Sequence, residues 1–139
     1  MCSHKTDNVR GTGTSADTME EHYSNVIPSS LGICRQYKRL ALDGVCISVQ
    51  AGDNCCTIGH DIAIVRNIVI QNGEKLLVYQ KFQEKRDFYH YPCPSSRFRI
   101  YQVCDMRNEL LVGNLNDFIT KNVMLPYNDT YVIIPLLRL

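Results

Sequence analysis

The chain holds 139 residues, 45% apolar and 21% charged, which suits one domain with a modest core or a domain plus a tail. Fifteen Lys and Arg against fourteen Asp and Glu leave a formal charge of +1, so the whole chain has no field that would draw in nucleic acid or an anionic membrane. No apolar run approaches the roughly 20 residues that span a bilayer. The polar start, Met1-Cys2-Ser3-His4, also lacks the apolar stretch of a secretory signal. The expectation is an intracellular protein with no membrane partner.

Residues 1–30 contain two basic and four acidic side chains, scattered Gly, Ser and Thr, and little that is apolar before Val26-Ile27. Such a segment cannot offset an ordering entropy of roughly 1–2 kcal/mol per residue, so it reads as a disordered tail. A short helix around Met19–Tyr23 is the alternative there. The remainder, 31–139, reads as the folded module.

From Leu31 onward, short β-branched runs alternate with turn residues. Val45-Cys46-Ile47-Ser48-Val49 is one strand, ended by Ala51-Gly52-Asp53-Asn54. Ile62–Ile70 and Leu76–Phe82 flank Asn72-Gly73, the pairing expected of a tight hairpin. In its second strand Leu76, Val78, Gln80 and Phe82 share one face, with Leu77, Tyr79 and Lys81 on the other. A charged loop, Glu84-Lys85-Arg86-Asp87, leads to Phe88-Tyr89-His90-Tyr91 and the stop Pro92-Cys93-Pro94-Ser95-Ser96. Arg97–Val103 alternates as a strand would, with Phe98, Ile100 and Gln102 on one side. Leu110–Lys121 holds the best candidate helix, around Leu115–Ile119. Asn128-Asp129-Thr130 matches a glycosylation sequon, but with no secretory route it reads as a turn before a last strand, Tyr131–Ile134. The fold class is therefore mainly β: a small antiparallel barrel or rolled sheet of five to seven strands with one short helix, behind a disordered tail.

Seven cysteines in a chain without a signal peptide argue for free thiols in a reducing compartment. Cys34, Cys46 and Cys104, beside apolar runs, read as buried filler. Cys55 and Cys56 with His60, and His90 with Cys93, are the nearest approach to a zinc set. Adjacent cysteines chelate poorly, however, and no Cys-x2-Cys pair exists. Cys93 near His90 and Arg97 is the best candidate nucleophile, yet nothing supplies an oxyanion hole. Phosphate loops and nucleophile elbows are missing too. No catalytic residue, metal or cofactor is assigned.

What stands out is an aromatic and cationic constellation. Tyr79, Phe88, Tyr89, Tyr91 and Tyr101, ringed by Lys81, Arg97 and Arg99, could stack on bases, neutralise phosphates or enclose a methylated lysine. The plainer reading places Phe82, Phe88 and Phe98 in the core with the tyrosines at the barrel's edge. Residues 31–139 carry 13 basic and 10 acidic side chains, enough for a local basic patch only.

Asp53-Asn54-Cys55-Cys56, Val65-Arg66-Asn67-Ile68-Val69, the run Asp87–Ser96 and Tyr131–Leu137 together resemble the C-terminal segment of uncharacterised, transposon-derived metazoan proteins. More loosely, the order of elements is similar to a bromo-adjacent homology domain, a β-rich chromatin module. That resemblance implies a nuclear setting, with nucleus favoured over cytoplasm. The expected function is a non-catalytic intracellular interaction module, binding protein, peptide or chromatin through the constellation above. The alternatives are a nucleic-acid-binding remnant of a transposon-derived protein, using the same basic residues, or a small zinc-binding protein.

Overall fold

A computed structural model describes residues 16–117 and 119–136. Among these are ten strands and a single 3-10 turn. The strands are β1 (Ala16–His22), β2 (Arg35–Leu42), β3 (Val45–Ser48), β4 (Cys55–Ile58), β5 (Asp61–Gln71), β6 (Glu74–Asp87), β7 (Tyr101–Met106), β8 (Leu111–Asn114), β9 (Ile119–Tyr127) and β10 (Thr130–Pro135). All pairings are antiparallel, and they close on themselves: β5, β4, β9, β10, β7 and β6 form a six-strand ring, completed by β5 against β6. Closure leaves the ring without a free edge.

The two longest strands serve two neighbourhoods each. The first half of β5 pairs with β4 inside the ring, and its second half, Ile68–Ile70, pairs with β2. Strand β6 likewise holds β8 along Leu76–Tyr79 and β7 along Phe82–Asp87. A register shift between Val65 and Asn67 marks the bend, as an extra residue increases local twist. Outside the ring, β2 carries β1 and β3. The hairpin anticipated at Asn72-Gly73 is present, with both residues at positive φ (52° and 79°) as a type I′ turn requires. The sequon is also a turn, joining β9 to β10 with Asn128 at φ 53°.

Strand alternation divides the core. Phe82, Ile62, Ile64, Cys55, Val103 and Ile133 fill one cluster, contributed by strands of the ring. Leu40, Ile47, Ile58, Val65, Leu77 and Tyr79 fill a second, shared with β2 and β3. Cys55 and Cys56, adjacent on β4, fall into different clusters because successive side chains point to opposite faces.

Several sequence-based expectations change. The tail does not run to residue 30: Ala16–His22 is a strand paired along β2, where Glu21 and Glu20 bind Arg35 and Arg39. Propensity had no means of seeing this, since the strand is held by a partner distant in sequence. The helix at Met19–Tyr23 is replaced by the same strand, while residues 1–15 lie outside those described. His22, Gln36 and Asn67 then fasten this segment from within. Buried Asn67 donates from Nδ2 to the Val26 carbonyl (3.0 Å) and to Gln36 Oε1 (2.9 Å). Its Oδ1 accepts the Ile68 N–H (2.9 Å) and faces His22 Nε2 (3.1 Å), so the amide is satisfied on all sides.

The helix anticipated over Leu110–Lys121 is also absent among the described residues; strands β8 and β9 flank a turn instead. Asn114 makes that turn, accepting the Asn116 N–H on its side chain (2.8 Å) and the Asp117 N–H on its carbonyl (3.2 Å). Phe118, part of the expected helix, lies outside the described residues. Gly113 lets β8 approach β6, since a Cβ there would stand 3.2 Å from the Tyr79 ring. Strand count rises accordingly from the expected five to seven to ten among the described residues.

Candidate functional site

The segment beyond β6 gathers most of the aromatic constellation, and one buried serine organises it. Ser95, fully buried, opens the 3-10 turn Ser95–Phe98. Its Oγ accepts the Phe88 N–H (2.7 Å) and donates to the Ile100 carbonyl (2.7 Å), while its own N–H donates to the Tyr89 carbonyl (2.9 Å). Both ends of the loop are thus tied to a single residue. Asp87 adds a second tie, its Oδ1 accepting the Ser96 N–H at 2.7 Å. Hydrogen bonds from Ser96, and more weakly the charge of His90, hold the Asp87 carboxyl below its ordinary range. A lowered carboxyl pKa means this tie contributes fully above the unfolded value and is lost as pH falls through the folded one. Arg99 closes the turn in a left-handed conformation (φ 59°).

Aromatic rings cluster across one end of the barrel, Phe88, Tyr89 and Tyr101 half-buried, Tyr127 and Tyr131 more exposed. Phe88, just past β6, meets Tyr127, the last residue of β9, edge-to-face with centroids 5.0 Å apart. These strands stand opposite one another in the six-strand ring, so the contact crosses its end. Tyr89 packs against Phe88 at 6.3 Å, and Tyr131 against Phe82 at 6.1 Å. Lys85 Nζ sits 4.8 Å from the Tyr101 centroid and donates to the His60 carbonyl at 2.7 Å. One face of Tyr101 is therefore given to the chain's own cation.

The structure brings Phe88, Tyr89, Tyr91, Arg97, Arg99 and Tyr101 together around this loop. It does not bring Tyr79 or Lys81. Tyr79 is only 8% exposed and packs in the core, where burial raises its phenol pKa, with Asp61 and Asp117 adding to the effect. Lys81 is half-buried and paired with Asp61 at 3.6 Å. Both lie on the part of β6 clasped between β5 and neighbouring strands, a burial that alternation alone does not reveal. Phe98, expected as core, is 58% exposed because the chain turns through a 3-10 segment there instead of running as a strand. Tyr91 is 89% exposed. Sequence reasoning missed the structural roles of Asp87 and Ser95, although both fall in the run Asp87–Ser96 that carried the family resemblance. Tyr127 had no local signal at all.

The thiols fall out differently from expectation. Cys55 and Cys56 are the buried pair, and burial pushes both thiols up to about 12. Cys34, Cys46 and Cys104 are half-buried. Among the described residues, no three His, Cys, Asp or Glu side chains converge as metal ligands would. His60 lies in the β4–β5 turn, and Cys93 in the loop beyond β6. No helix among the described residues is long and apolar enough to cross a membrane.

The molecule is a closed antiparallel barrel with added strands and one internally locked aromatic loop. Residues 21–136, more than four fifths of the chain, match the model of a domain of unknown function, DUF8592, and the chain belongs to that family. No curated protein and no solved structure matches it.

Proposed function

We propose that this protein is a non-catalytic interaction module whose contact surface is the loop 88–100. The observation that carries the reading is the contrast between the loop's two sides. Its inner side is fixed by the Ser95 hydrogen bonds, while Tyr91 and Phe98 stand exposed on its outer side. Large rings in water are natural anchors for a partner, and they lose little conformational freedom on contact when the backbone beneath them is already set. Loops mounted on a rigid sheet are the usual place for such contacts. The nuclear setting belongs to the same proposal and rests on the sequence pattern alone.

The test is selection from a phage-displayed library of random peptides on the full chain, repeated on the Tyr91→Ala/Phe98→Ala double variant. Both side chains project into water, so thermal unfolding of the variant should match the parent within about 0.5 kcal/mol. Peptides enriched on the parent and lost on the variant support the reading. Equal enrichment on both proteins, or none on either, refutes it.

A further inference from the structure

We infer that the loop recognises an acidic protein segment, an inference that rests on its being an interaction surface at all. From Phe88 to Cys104 the chain has no Asp or Glu, and the cations Arg97 and Arg99 are exposed there. The carboxylate that precedes the loop, Asp87, is turned onto the Ser96 N–H and serves the loop's own backbone. Arg86, two residues before Phe88, is likewise exposed. Among the described residues neither Arg86 nor Arg97 enters an ion pair, whereas Arg35, Arg39, Lys81 and Lys121 each have a carboxylate partner. This surface thus offers the exposed Arg97, with Arg86 close by in sequence, beside two exposed rings, and the adjoining Asp87 carboxylate is engaged by the loop's backbone.

That combination complements a carboxylate-bearing peptide. A guanidinium holds a carboxylate through paired N–H donors, and the rings cover the apolar atoms between. Lysine-rich partners are disfavoured, since a cationic tail would meet only like charge. Nucleic acid is the weaker fit. Firm phosphate-backbone binding draws on many cations, and a chain of net charge +1 with exposed Arg86 and Arg97 at this surface supplies few.

The peptide selection decides this through the composition of what is enriched. Leading sequences would be synthesised as they stand and with every Asp and Glu replaced by Asn or Gln, and measured by fluorescence anisotropy on the full chain. Expected are loop-dependent, Asp- or Glu-rich peptides whose affinity falls about tenfold or more on neutralisation, and similarly on Arg97→Glu. Loop-dependent peptides that are neutral or basic, or that bind equally after neutralisation, overturn the acidic inference and leave the interaction surface standing. A labelled 20-nucleotide single strand that displaces the peptide and binds more tightly overturns it in favour of nucleic acid. Failure to enrich any loop-dependent peptide overturns both readings together.

Discussion

Replacing Ser95 with Ala tests whether one hydroxyl holds the candidate surface in shape. The change removes a single oxygen from a fully buried site, so the packing loss is small and the hydrogen bonds dominate. It leaves the Phe88 N–H and the Ile100 carbonyl without their 2.7 Å partner. A buried group stripped of its bond costs about 1–3 kcal/mol, so the pair should cost about 2–4 kcal/mol. That is a large share of the roughly 5–15 kcal/mol that stabilises a domain. At this chain length it corresponds to a fall in Tm of roughly 8–16 °C. Denaturant titration of the parent and Ser95→Ala measures the loss, and hydrogen exchange locates it. The amides of Phe88 and Tyr89 should lose protection while those of Leu77 and Val78, in the buried middle of β6, keep theirs. Ser96→Ala is the comparison: it removes the Ser96 hydroxyl from Asp87 but keeps the backbone N–H bond to it, so a smaller loss than for Ser95→Ala is expected. A loss below about 0.5 kcal/mol for Ser95→Ala, within the range of ordinary surface changes, would refute the idea that Ser95 is the loop's anchor.

Two further outcomes follow from buried groups elsewhere. Asn67→Asp keeps the side chain's shape but removes both Nδ2 donors, turning a carboxylate toward the Val26 carbonyl and Gln36 Oε1. A destabilisation of about 3 kcal/mol or more is expected, with faster chymotryptic cleavage at exposed Tyr23; unchanged stability would show that the N-terminal segment is held by other means. Thiol labelling of the native protein near neutral pH should leave Cys55 and Cys56 unmodified while half-buried Cys34 and Cys93 react, because burial both shields the pair and keeps it protonated. Reaction of Cys55 or Cys56 at the rate of the others, read by mass spectrometry of the digested protein, would contradict the core assignment.

Local chemistry alone determined the β class, the Asn72-Gly73 hairpin, the turn at Asn128-Asp129 and the clustering of rings and cations between Phe88 and Tyr101. These are short-range features: positive φ is easiest at Asn and Gly, and β-branched runs fit a pleated surface wherever they pair. Other features belong to the tertiary structure. Ala16–His22 looks like tail until β2 is laid beside it, because an edge strand is stabilised by its neighbour's backbone as much as by its own side chains. Leu110–Lys121 reads as a helix by spacing, and becomes two strands because Asn114 turns the chain and Gly113 lets β8 lie against Tyr79. Alternation assigned Tyr79 and Lys81 to a face of β6, but whether that face met water or core depended on strands far away in sequence. The same holds for the site. The sequence lists its rings; which are exposed, which cluster across the end of the barrel and which loop presents them follow from Ser95 and Asp87 meeting backbone groups up to nine residues distant, and from β6 and β9 standing opposite each other in a closed ring. Burial is a property of the assembled chain, and no pattern of neighbouring residues encodes it.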